Sequence, residues 1–124
     1  MTSSPLHTDP DCLFCKIAAG KIPSKMVYQD DELFAFHDIH PSAPVHFLII
    51  PRLHVPAMAL LTADHAALMG RMMVLVPQLA LQQGCRPYPQ GGFRMVCNTG
   101  VDGAQDIHHL HIHIMGGPRP WVRG

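Results

Sequence analysis

Apolar and polar positions recur along this chain with two different periods, and the two periods mark out its elements. Between residues 62 and 83, Leu68, Met72, Leu75, Val76 and Leu79 return every three or four positions, which places them on one buried stripe of a long α-helix. Thr62 suits its N-cap and Gly84 its C-terminal stop. Pro77 removes one backbone hydrogen bond, so a kink is expected near Met73. Elsewhere the pattern is that of strands. Lys25 to Gln29 and Leu33 to Asp38 read as two of them, turned at Asp30-Asp31. VHFLIIP, residues 45–51, is almost continuously apolar, which predicts a strand covered on both faces, with His46 as its polar exception. Phe93 to Asn98 and Ile107 to Met115 read as two more, joined by the loop TGVDGAQD. Leu13 to Ala19 reads as a short helix closed by Gly20. Pro41 and Pro44 keep the segment HPSAP out of helix. The sum is an α+β fold, an antiparallel sheet of about five strands with one long and one short helix.

Within the last strand lies IHHLHIHIM, residues 107–115. Successive side chains of a strand point to opposite faces and rise about 3.3 Å each, so His109, His111 and His113 are expected in a row roughly 6.6 Å apart. Leu110, Ile112 and Ile114 on the other face account for burial. The imidazole face has no packing reason and suits either a metal or a phosphate. A catalytic zinc is one reading, although no carboxylate sits at a telling offset to orient such a site. Three solvated histidines on an edge strand is the plainer one. Cys12-Leu-Phe-Cys15 is a second candidate, since two thiolates at this spacing hold two corners of a zinc tetrahedron and imidazoles can supply the rest. The alternatives are a redox dithiol, which would need a thioredoxin-like βαβ context that the pattern lacks, and two cysteines with no joint role. Cys85 and Cys97 carry no spacing signal and are expected as buried thiols. His7, His37, His40, His65 and His108 are expected to be structural or exposed.

Composition narrows the functional classes. With 124 residues, 48% hydrophobic and 15% charged, the chain is one globular domain and not a disordered one. A formal net charge of zero gives no reason to expect nucleic acid or membrane as a partner, and no apolar run approaches the roughly 18–20 residues of a membrane span. Residues 1–11, MTSSPLHTDPD, read as a flexible tail without the features of a secretion signal. Four cysteines in that setting point to the reducing cytoplasm.

HLHIHIM resembles the signature of the histidine triad (HIT) family. CLFCKIAAGKIPSKMVYQDDELFAFHDIHPSAPVHFLIIPRLH and the later NTG, GAQD and GGPRPW are similar to its HINT branch of nucleotide-binding proteins, over about residues 12–121. The resemblance implies a HIT-like domain at residues 12–124, and a homodimer whose two subunits form one continuous sheet through the long helix and a strand. It also implies a purine nucleoside phosphoramidase that cleaves the P–N bond of nucleoside 5′-phosphoramidates through a nucleotidyl-histidine intermediate. His111 then matches the nucleophile, His109 and His113 complete the triad, and His46 matches a fourth active-site histidine. Asn98 and Gln105 match positions that hold the α-phosphate, and Asp38 the carboxylate that accepts from ribose hydroxyls. Leu13, Phe14, Ile17, Phe36, Ile39 and Leu48 match the walls around the base. Cys12, Cys15, His54 and His109 match a structural zinc site, with no cofactor required for catalysis.

Elementary chemistry agrees with that assignment. An imidazole with pKa about 6.5 is mostly unprotonated at pH 7 and can attack phosphorus; a second imidazole, first of all His113, would protonate the departing amine. Three positions depart from the family pattern. Asp106 stands where a serine assists the leaving group, and a carboxylate near a phosphate is repelled unless it turns away or accepts from the departing ammonium. Ala104 replaces a frequent glycine, which matters only if φ is positive there. The segment GGPRPWVRG ends slightly short. The competing functions are a non-catalytic nucleotide-binding or interaction module, a zinc-dependent hydrolase acting through the histidine row, and a dinucleoside polyphosphate hydrolase. The residues from Gly116 to Trp121 argue against the last.

Overall fold

The computed structural model describes residues 7–121; residues 1–6 of the expected tail and the last three residues of GGPRPWVRG lie outside that range. Five strands, β1 (Met26–Gln29), β2 (Leu33–His37), β3 (Val45–Pro51), β4 (Phe93–Val96) and β5 (Ile112–Gly116), form one antiparallel sheet. Their spatial order is β1-β2-β3-β5-β4. A short helix α1 (Leu13–Ala18) precedes the sheet, and a long helix α2 (Ala66–Gln82) joins β3 to β4.

The period-two side-chain alternation divides the core in two. Leu33, Ala35, Phe47, Ile49, Ile112 and Ile114 pack on Met72, Val76, Leu79 and Ala80 of α2. On the opposite face Phe34, Phe36, Leu48 and Ile50 pack on Phe14, Cys15, Ile17 and Ala18 of α1. The central strands β2 and β3 are therefore buried on both sides, as the unbroken apolar run at 45–51 implies. Each fully buried Leu, Ile or Phe contributes roughly 1.5–3 kcal/mol. In register, Leu48 stands opposite both Phe36 and His113, so the histidine of β5 emerges on the α1 face. That face carries the chemistry.

Two expected elements are displaced. Thr62 caps a single 3-10 turn, Ala63–His65, rather than α2; its hydroxyl accepts from Asp64 N–H at 3.3 Å, while its own N–H donates to His65 Nδ1 at 2.9 Å. α2 then runs from Ala66 without interruption through Pro77. More consequentially, β5 begins at Ile112, so only His113 of the three histidines lies on a strand. The ladder with β3 stops at Ile49↔Ile112. Beyond it the backbone bonds elsewhere, Leu110 N–H to Val55 O at 2.7 Å and His109 N–H to Ile107 O at 2.9 Å. The expected row of three rings on one strand face does not form.

Residues 7–11 are tied to the body: His54 N–H donates to His7 O at 2.7 Å, and Cys12 N–H to Asp9 O at 3.0 Å. Gly116 allows a close approach that no other residue would, since a Cβ there would meet Cys85 Sγ at 2.4 Å. Among the described residues, no helix is long and apolar enough to cross a membrane.

Candidate functional site

A cavity of about 1070 Å³ opens on the α1 face. Leu13, Phe14 and Ile17 of α1 wall it together with Phe36, Ile39 and Leu48, and His46, His111, His113, Asp38 and Asp106 provide its polar part. Phe14, Ile17, Phe36 and Leu48 are buried, whereas Ile39 is 86% exposed at the rim. An apolar cleft with a few convergent polar groups is the general form of a small-molecule site.

Hydrogen bonds settle the protonation pattern of the histidines. The His111 ring meets the His109 carbonyl at 2.7 Å through Nδ1. A carbonyl can only accept, so Nδ1 carries a proton, and in the neutral ring Nε2 is the nitrogen with the lone pair. His111 Nε2 stands 3.9 Å from Asp106 Oδ1. His46 is fixed in the opposite sense. Its Nδ1 accepts the Ser42 N–H at 2.9 Å, which leaves the proton on Nε2 to be donated to His113 Nδ1 at 3.0 Å. Neutral His113 consequently bears its own proton on Nε2. Burial lowers the pKa of His46, with Asp38 working the other way. Burial, and then the neighbouring His111 and His46, hold His113 below the ordinary histidine range.

His109 does not share this cavity. Its ring is fully buried, Nε2–H donates to Pro51 O at 2.7 Å, and Nδ1 is turned toward Cys12, Cys15 and His54. His109 Nδ1 lies 3.2 Å from His54 Nδ1, 3.3 Å from Cys12 Sγ and 3.5 Å from Cys15 Sγ, and Cys15 Sγ is 3.5 Å from His54 Nδ1. In a tetrahedral zinc site, bond lengths near 2.0–2.1 Å to nitrogen and 2.3 Å to sulfur set nitrogens about 3.3 Å apart and sulfur about 3.5 Å from nitrogen. The four side chains therefore fit a metal ion with hardly any rearrangement. Backbone N–H groups of Cys15 and Asp9 approach Cys12 Sγ and Cys15 Sγ at 3.4 and 3.5 Å, and Asp9 Oδ2 stands 4.0 Å from the far nitrogen of His54, the kind of outer partner that orients a ligating imidazole. Burial pushes the Cys15 thiol up to about 11 and His109 down to about 4. Without a cation Cys15 is thus held as the thiol and His109 as the neutral imidazole, and a metal would displace the Cys15 proton as it binds.

Asp38, His46 and His113 form a second group of potential ligands, but its chemistry is different. Because Ser42 N–H occupies His46 Nδ1, a metal on Nε2 would leave that ring with no proton at all. The group works better as a relay: Asp38 Oδ2 lies 3.4 Å from His46 Nε2 and 3.7 Å from His113 Nδ1, and Asp38 Oδ1 accepts His40 N–H at 2.7 Å.

Two residues expected at the phosphate are placed elsewhere. Gln105 spends its amide within the loop, its Oε1 accepting Gly100 N–H at 2.9 Å and its Nε2 donating to Pro56 O and Ile107 O. It staples the loop shut instead of facing the cavity. Asn98 is half-buried beyond the end of β4 and does not line the cavity either. Ala104, in the same loop, has φ +58°, so its replacement of glycine does carry strain. The cavity also gains residues with no sequence signal, among them Lys25, His37 and His40. Ser42 acts through its backbone N–H, which no side-chain motif can announce. Of the expected buried thiols, Cys85 is buried and Cys97 only partly so.

Comparison with known proteins places this geometry. Residues 11–120 match a family model described as the scavenger mRNA decapping enzyme C-terminal binding domain. Protein HitA of Neisseria gonorrhoeae is 46% identical over 108 residues, covering 87% of this chain and 97% of that protein. The purine nucleoside phosphoramidase of Escherichia coli K12 is 40% identical over 107 residues, covering 86% and 87%. The crystal structure of a HIT family hydrolase from Legionella pneumophila superposes with a TM-score of 0.82 at 38% identity, covering 88% of this chain and 95% of that one. The chain belongs to the histidine triad family, among that family's hydrolases.

Proposed function

We propose that the protein is a purine nucleoside phosphoramidase that forms and then hydrolyses a nucleotidyl-His111 intermediate. One observation carries this reading: the bond from His111 Nδ1–H to the His109 carbonyl makes Nε2 the lone-pair nitrogen of the neutral ring and aims it at the polar end of an apolar cleft. The relative of that name in Escherichia coli supports the substrate class. Phe14, Ile17, Phe36 and Leu48 take the base, and Asp38 accepts from the ribose hydroxyls.

His111 Nε2 attacks phosphorus, and the P–N bond breaks with its electron pair passing to the leaving nitrogen. In the free protein burial and the neighbouring His111 and His46 disfavour the charged form of His113, but an anionic phosphoryl group beside it favours the imidazolium. His113 so charged gives its proton to the leaving amine. It then takes a proton from water, which attacks the intermediate, returns the bonding pair to His111 Nε2 and releases a nucleoside monophosphate. Once His113 is charged its Nδ1 no longer accepts from His46, which frees His46 Nε2–H for the charge that gathers on the phosphoryl oxygens. No step passes through a metal. Cys12, Cys15, His54 and His109 would hold a zinc ion whose contribution is to the fold.

The same reading includes a homodimer. β4 is an outer strand of the sheet, with Phe93 and Met95 40% and 41% exposed, and α2 leaves Val74 66% exposed. Apolar groups in these two places suit edge-to-edge pairing that would continue the sheet. The cytoplasm, where thiols stay reduced, is the proposed compartment.

The test of the activity is a rapid-quench reaction with an adenosine 5′-phosphoramidate labelled at phosphorus. AMP should be found bonded to His111 in the acid-sensitive phosphoamide, and His111→Ala should lose turnover while still binding nucleotide. Label on another residue, or undiminished turnover in the variant, would overturn the mechanism.

A further inference from the structure

The charge around the cavity is unusual for a place that receives a phosphoryl group. Among the described residues, Lys25 is the only lysine or arginine that lines it, against two carboxylates, Asp38 and Asp106. The two carboxylates differ in how they are compensated. Asp38 accepts from His40 N–H and faces His46 and His113. Asp106 has one hydrogen bond among the described residues, from Ile107 N–H to Oδ1 at 2.8 Å, and its side chain is 80% exposed. It nevertheless stands 3.9 Å from His111 Nε2. Reacting atoms poised for attack stand about 3–3.5 Å apart, so phosphorus and the substituents on it come within reach of this carboxylate.

We propose that Asp106 is a specificity residue that selects leaving groups carrying positive charge. The proposal rests on the phosphoramidase reading. A phosphoramidate diester-like anion with a cationic amine side chain is neutral overall and brings to Asp106 the counter-charge that the protein omits. A polyphosphate or other anionic leaving group adds like charge at the same place, with Lys25 the one lysine or arginine among the described residues to offset it in this cavity. An exposed charge pair is worth roughly a 1.5- to fivefold preference, and salt shrinks it.

The experiment compares two adenosine 5′-phosphoramidates of nearly equal shape, one made with 1,3-diaminopropane and the other with butylamine. The readout is the ratio of their kcat/KM values within each protein, in which any general change in activity cancels; comparing that ratio between proteins cancels the intrinsic difference between the amines. Relative to Asp106→Asn, the wild-type ratio should favour the diamine by about 1.5- to fivefold at low ionic strength. Asp106→Lys should move it below the Asp106→Asn value. Equal ratios in all three proteins would overturn the proposal. Should the wild-type protein cleave neither compound, the phosphoramidase reading fails by itself. The selectivity is then read from the dissociation constants of the same two compounds. A preference for the diamine that Asp106→Asn abolishes supports the proposal, and equal affinities reject it.

Discussion

Loading and stripping the cluster of Cys12, Cys15, His54 and His109 should change the stability of the whole domain by an amount that can be estimated in advance. A ligand that binds only the folded state stabilises it by RT ln(1 + [L]/Kd), about 4 kcal/mol at a free concentration a thousand times Kd. Unfolding entropy near the midpoint is about 2.1 cal/mol/K per residue. For 124 residues this gives about 0.26 kcal/mol/K, so zinc at that saturation should raise Tm by about 16 °C. The four ligands come from α1 and its N-cap residue, from the segment after β3 and from the segment before β5, so the metal would cross-link three parts of the chain that are far apart in sequence. The assay is thermal unfolding of protein stripped with chelator and of the same protein reloaded with zinc, alongside metal analysis. About one zinc per chain is expected by the four-ligand rule, and the rise should vanish in the Cys12→Ser/Cys15→Ser double variant. A wild-type rise of less than about 2 °C, far below the estimate, or the same rise in the double variant, would refute the reasoning. Phosphoramidase turnover should survive stripping, which separates this site from a catalytic metal.

Other consequences are smaller or more local. Ala104→Gly relieves a left-handed residue at the expense of extra freedom in the unfolded chain, for a net gain of roughly 0.5–1 kcal/mol by denaturant titration; a loss would show that the strain is illusory. Burial works to raise the Asp30 carboxyl, but donors from Glu32, Leu33, Tyr28 and Arg71 prevail and hold it down to about 2 from 3.8. A depressed folded pKa gives stability that is complete above the unfolded value and lost as pH falls through the folded one. About 2 kcal/mol should therefore disappear between roughly pH 4 and pH 2, a loss that Asp30→Asn should remove from the acid unfolding profile. Met72→Ala, at a fully buried position under the sheet, should cost about 2–5 kcal/mol. Val74→Glu should turn the proposed dimer into monomer by sedimentation, and an unchanged mass would reject α2 as part of the interface.

Much of the fold could be read from order along the chain. The central strand at 45–51, the short helix before Gly20 and the stripe through Met72, Val76 and Leu79 are local patterns, and local patterns carry the periods of the elements that bury them. Strand ends were less legible: β5 starts at Ile112 because Leu110 finds Val55 as its backbone partner, a choice made by a segment more than fifty residues away. The same kind of partner decides the chemistry.

From sequence alone, His109, His111 and His113 are three equivalent alternations, and they determine only that imidazoles gather near one sheet face. Tertiary structure makes them unlike one another. Pro51 O turns His109 toward the cysteines, the His109 carbonyl puts the proton of neutral His111 on Nδ1, and Ser42 N–H through His46 sets the proton of neutral His113. Gln105 is likewise claimed by the backbone of its own loop. The physical reason is common to all of them: a side chain's identity states what it can donate or accept, but its protonation and aim depend on which backbone groups the fold brings within hydrogen-bonding distance.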